Sequence, residues 1–210
     1  QTISGSESEL TAALVTAASK VVLGGSSAIS MSGAGAHGAV DALAGVTNAG
    51  NITGTITSTD VDNITALSNI DSNDVLAITL SGTITKDKLN TVKTKTGGVV
   101  TATLATDITN GKLLNTDNND QITITLSDTG GVNATDLSAV GGKSGATVTL
   151  TNGQTISGSE SELTAALITA TSKVVLGGSS ALTMSGSGDF DKVQALAGVT
   201  NAGNITGTVS

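Results

Sequence analysis

The chain has 210 residues with a formal net charge of −8, 27 Gly, a single Phe and a single His, and no Trp, Tyr, Cys or Pro. Without Cys there are no disulfides and no thiol chemistry. Its basic residues are all Lys, with no cluster or Arg fork for phosphates, which argues against nucleic acid and anionic membrane surfaces as partners. No apolar run approaches the ~20 residues a membrane-crossing helix needs, so no membrane insertion is expected.

The first fourteen residues, QTISGSESELTAAL, return unchanged at Gln154. A shift of 153 aligns residues 1–57 with 154–210, and 45 of those 57 positions are identical. The differences concentrate in GAGAHGAVD (33–41) against GSGDFDKVQ (186–194). Repeats this close mean that one structural unit recurs.

A shorter period lies inside the long one. Alternating segments end at Met31, then as ITGTI at Ile56, AITL at Leu80, TATL at Leu104, TITL at Leu126, TVTL at Leu150 and ALTM at Met184. Their spacing is 22 to 25 residues, except for the last interval of 34, which carries the extra KVVLGGSS. Alternation of this kind predicts strands with Ala102, Leu104, Ile124, Leu126, Val148 and Leu150 facing inward.

Between the strands lie short helical patterns. Ile84, Leu89 and Val92 follow one strand, Ile108 and Leu113 the next, and Val132, Leu137 and Val140 a third. Thr85, Thr109 and Asn133 are suited to cap them. In the repeated opening, Ser157/Glu160 and Ser159/Glu162 both have capping-box spacing, and Leu163 and Leu167 stand one turn apart.

Strands about two dozen residues apart must run parallel, joined by right-handed crossovers. The expected fold is therefore a repeat solenoid. In its preferred form this is a parallel β-solenoid with a short helix in each coil of about 24 residues, an α/β solenoid. A plain right-handed β-helix is the alternative. On this expectation residues 1–210 form one continuous solenoid, a fragment of a longer array. Residues 1–153 are one six-coil repeat, and 154–210 begin the next. A coil buries five or six apolar side chains worth ~2 kcal/mol each. Ordering its backbone costs ~1–2 kcal/mol per residue, so no coil stands alone. With no polar cap at either end, continuation through further copies of the repeat is expected, in the same chain or in neighbouring subunits.

Outward-facing Thr residues would form two columns: Thr53, Thr101, Thr123 and Thr147 in one, and Thr55, Thr103, Thr125 and Thr149 in the other. Such an array resembles the ice-binding face of insect-type antifreeze solenoids. It also suits Thr as a soluble strand former. Asp71 and Asp74, and Asp117 and Asp120, offer the hard oxygens that calcium prefers, in segments that equally read as Asx turns. GSGDFD (186–191) resembles the calcium nonapeptide of bacterial RTX proteins, but its twin GAGAHG has lost both carboxylates. His37 has Phe190 as its counterpart, and no Cys, Arg or second His exists to complete a site. No nucleophile elbow or Walker loop is present, so no enzyme and no cofactor is expected. Asn51, Asn63, Asn133 and Asn204 head N-x-Thr sequons.

Together, TATLATDITNGKLLN, LSGTITKDKLNTV and LSDTGGVNATDLSAV resemble the giant Ser/Thr/Gly-rich repeat proteins of bacterial surfaces, of the cyanobacterial type. The resemblance implies a secreted, cell-surface structural protein in a filament, S-layer or adhesin stalk. An ice- or glycan-binding face on the Thr columns and a calcium-stiffened adhesin spacer are the two alternatives.

Overall fold

The computed structural model describes residues 1–19 and 21–210. In chain order the elements are β1 (Thr2–Gly5), α1 (Glu7–Leu14), β2 (Ser27–Gly35), α2 (His37–Ala44), β3 (Ala49–Ile56), α3 (Val61–Thr65), β4 (Val75–Ile84), α4 (Lys86–Lys93), β5 (Val100–Thr106), α5 (Ile108–Gly111), β6 (Gln121–Leu126), β7 (Val132–Asn133), α6 (Ala134–Gly141), β8 (Val148–Leu150), β9 (Thr155–Gly158), α7 (Glu160–Leu167), β10 (Val174–Leu176), β11 (Ser180–Gly188), α8 (Phe190–Ala197) and β12 (Ala202–Val209). Strands and short helices are interleaved along the chain, an α/β organisation, with β6–β7, β8–β9 and β10–β11 following one another directly.

The closed solenoid and the plain β-helix expected from the strand spacing do not form. The described residues form two open sheets instead, one of eight strands ordered β1-β2-β3-β4-β5-β6-β8-β10 and one of four ordered β12-β11-β9-β7. The cause lies in two segments. The inserted KVVLGGSS supplies β10, which pairs with β8 in parallel, Val148 opposite Val174. The strand containing ALTM, β11, pairs instead with β9, the TISG segment that precedes a helix, with Ile156 opposite Leu182. TVTL and ALTM thus lie in different sheets, and neither sheet returns on itself.

The chain divides into two compact units. Residues 1–82 and 87–102 form the first, and 83–86 and 103–210 the second. In the first, β1, β2, β3 and β4 pair successively in parallel. Ile29, Val40, Leu43, Ile52, Leu76 and Leu89 are fully buried between strands and helices. In the second, Ile124, Leu126, Leu137, Val148, Ile156 and Leu163 have that role. The inward positions expected at Ala102, Leu104, Ile124, Leu126, Val148 and Leu150 are all buried.

Local chemistry sets the boundaries. Ser159 caps α7 with a full capping box closed by Glu162, and Ser6 with Glu9 repeats it on α1. The Ser157/Glu160 spacing does not form a box, because Ser157 is still inside β9. Asn133 caps α6 as expected. Thr109 does not cap α5. That role falls to Asp107, whose carboxylate accepts from the Asn110 N–H at 2.7 Å, and Thr109 lies inside the helix. With α5 ending at Gly111, Leu113 turns to solvent and Leu114 is buried instead. In α7, Ala166 shares the buried face with Leu163, leaving Leu167 half-buried. Gly33 and Gly186 adopt positive φ, 88° and 85°, inside register shifts of β2 and β11, a conformation that costs glycine nothing.

Candidate functional site

The largest polar feature is internal. Ahead of several strands, a buried polar side chain accepts from a backbone N–H that lies 20 to 26 residues earlier in the chain. Asp74 Oδ1 accepts from Ile52 N–H at 2.6 Å, and Thr96 Oγ1 from Leu76 N–H at 2.9 Å. Ser144 Oγ accepts from Ile122 N–H at 2.8 Å, and Ser180 Oγ from Gln154 N–H at 3.3 Å. Each of these four side chains is buried. A buried N–H left without a partner would cost about 1–3 kcal/mol, so each contact fastens one strand-bearing segment to an earlier one. The ladder is legible from parity. Asp74 lies two residues before inward Leu76, and Thr96 and Ser144 lie four before inward Val100 and Val148. Alternation therefore points these polar residues inward.

That parity decides the calcium candidates. Asp74 and Asp120 are buried, and their Oδ2 atoms accept from Asp71 N–H at 2.9 Å and Asp117 N–H at 3.1 Å. Asp71 Oδ1 and Asp117 Oδ1 accept from Asn73 and Asn119 N–H, each at 2.7 Å. Both segments are Asx turns in which each of the four carboxylates accepts from a backbone donor. Among the described residues no three His, Asp or Glu side chains converge on a metal position. In GSGDFD, Asp189 is the N-cap of α8, accepting from Asp191 and Lys192 N–H. His37 is half-buried at the start of α2.

Of the Thr candidates, Thr53, Thr55, Thr103, Thr123 and Thr147 are exposed, and Thr101, Thr125 and Thr149 are half-exposed. Thr125 lies opposite Thr149. Elsewhere the columns are interrupted, since Thr149 faces Val175, Thr53 faces Val75 and Thr55 faces Ala77. The exposed valines among these break the regular hydroxyl spacing that an ice lattice would require.

Among the described residues, Glu9, Glu162 and Asp107 have carboxyls held below their usual range. For Glu9 the main cause is the Ser6 N–H at 2.9 Å, with the Ser6 hydroxyl adding to it. For Glu162 it is the Ser159 N–H at 2.7 Å, followed by the Thr135 and Ser159 hydroxyls. Asp107 is lowered chiefly by the Asn110 N–H. All three are helix-cap groups, and their shifts have a structural cause.

One surface stands out for its apolar character. β12 is the edge of the four-stranded sheet, with α8 beside it. Phe190, 62% exposed, and Val209, 47% exposed, border a groove of about 490 Å³ that Val193, Gln194, Ala197 and Ile205 also line. Sequence inspection names none of these residues as a site, although the exchange of Phe190 for His37 between the two copies marks the place. Among the described residues no helix is long and apolar enough to cross a membrane. No family model matches the chain, and neither a curated protein nor a solved structure matches it.

Proposed function

We propose that this chain is a structural protein of the cell exterior, a length of filament, surface layer or adhesin stalk that grows by adding parallel strand–helix repeats. One observation carries the proposal: residues 154–210 repeat the strand pairing, the register shifts and the Asn turn of residues 1–57, adding β10 where residues 21–23 form no strand. Thr2 pairs with Ala28, and its twin Thr155 pairs with Ala181. The register shifts of β2 against β3 recur between β11 and β12. Asn48 and Asn201 both take positive φ, and their amides donate to Leu23 O at 2.7 Å and Leu176 O at 2.5 Å. A sequence that spends its length on reproducing one fastening scheme, with its carboxylates assigned to caps and turns, is suited to bearing load rather than to turning over a substrate. No catalytic role and no cofactor belongs to this proposal. Its partners are further copies of the repeat, in the same chain or in neighbouring subunits. Electron microscopy of the native material should show filaments or a regular layer, and dispersed short particles would sink the proposal.

A further inference from the structure

The internal duplication gives the β12 groove a reference, because the same face exists earlier in the chain with its cover in place. In the first copy, Val40 and Ile52 are fully buried and Ile56 is 3% exposed. Their twins Val193 and Ile205 are half-buried, and Val209 is exposed. The cover over the first copy is the segment 58–81. Its strand β4 runs parallel to β3, with Thr53 opposite Val75 and Ile56 opposite Ile78. Asp74 gives its carboxylate to Ile52 N–H at 2.6 Å. Asp41 of α2 in turn accepts from Ser68 and Asn69 N–H at 3.0 and 2.8 Å. The buried side chains the segment brings include Ile64, Ile70, Leu76 and Ile78.

We propose that the edge of β12 with α8 is a docking face for another strand–helix segment of the 58–81 pattern. Its strand adds in parallel to β12, and its Asp, two residues before an inward Leu, accepts from Ile205 N–H. Phe190, Val193, Ala197, Ile205 and Val209 offer the apolar surface that an incoming strand–helix segment covers, and the edge backbone supplies the ladder that strand addition uses. Gln194 in place of Asp41 and Phe190 in place of His37 alter the helix side of the face. The incoming segment therefore relies on Phe190 burial where the first copy relies on the Asp41 clamp. This inference rests on the structural role proposed above and specifies which chemistry joins one repeat to the next.

The test is the 210-residue chain extended after Ser210 by a second copy of residues 58–106, compared with the unextended chain by amide hydrogen exchange. Exchange at Ile205 N–H should slow by at least about tenfold on extension, and the protection should fall when the added copy carries Asp74→Ala. A second measurement uses the unextended chain and a labelled synthetic peptide of residues 58–81. Saturable binding is expected, weakened at least about tenfold by Ile205→Asp in the chain. Unchanged exchange at Ile205, or peptide binding indifferent to Ile205→Asp, would overturn the docking face. Native filaments found together with an unprotected Ile205 would overturn this docking mode alone. Protection found with no native assembly would support the docking mode and remove the structural role.

Discussion

Residues 1–57 and 154–210 share 45 of 57 side chains yet live in different surroundings. The first copy is covered beyond β3, so Ile52 and Ile56 are buried, while Ile3 in β1 is only half-buried and Ala13 is exposed. In the second the pattern reverses. Ile156 and Ala166 are fully buried beside β7 and α6, and Ile205 and Val209 meet solvent. One sequence therefore reports twice, once with each neighbour in place. Burial here belongs to the pair of repeats and not to the repeat, and identical substitutions in the two copies should have unequal effects.

The largest inequality is expected at the inward isoleucine of the last strand. Ile52→Ala should cost about 2–5 kcal/mol in urea unfolding, and Ile205→Ala less than half of that, because its site is already open. Equal costs would break the comparison. Next comes the clasp: Asp74→Ala strands the Ile52 N–H and should cost about 1–3 kcal/mol in the same measurement. The third concerns the one cap that differs. Ala36 makes no side-chain cap bond to α2, whereas Asp189 caps α8. Ala36→Asp should therefore stabilise, and Asp189→Ala destabilise, each by about 0.5–2 kcal/mol of unfolding free energy.

The smallest effect is a pH dependence. Glu9 and Glu162 are both held below the usual carboxyl range, so their contribution is present above the unfolded-state value and lost as pH falls through the folded one. Glu162 has an additional donor, the Thr135 hydroxyl at 2.9 Å, from the covering helix α6. Glu162→Gln should consequently flatten the acid limb of a pH–stability curve more than Glu9→Gln does. A larger effect from Glu9→Gln would contradict the asymmetry.

Much of the strand and helix content is legible in the sequence because alternation and capping are local. Inward Leu104, Ile124 and Leu150 follow from period two, and the Ser159/Glu162 box from its spacing. Sheet membership is not legible. TISG is four residues long and sits against a strong helix signal, so nothing local marks β9 as the partner that draws β11 out of the longer sheet. The carboxylates show a second limit of local reading. Asp74 carries the composition of a metal-binding turn, and only its parity relative to Leu76 shows that it points inward to a backbone donor. The Thr columns are readable one strand at a time, but their continuity depends on which residue lies opposite, and Val75 and Val175 are set there by pairing.

The paired registers join residues 21 to 26 positions apart, from Gly35 with Ile56 to Thr2 with Ala28. A chain emerging end first from a ribosome thus needs only two dozen fresh residues before the next strand finds its place. Short sequence separation of this kind makes ordering rapid and progressive. Length can then increase without the folding problem growing with it.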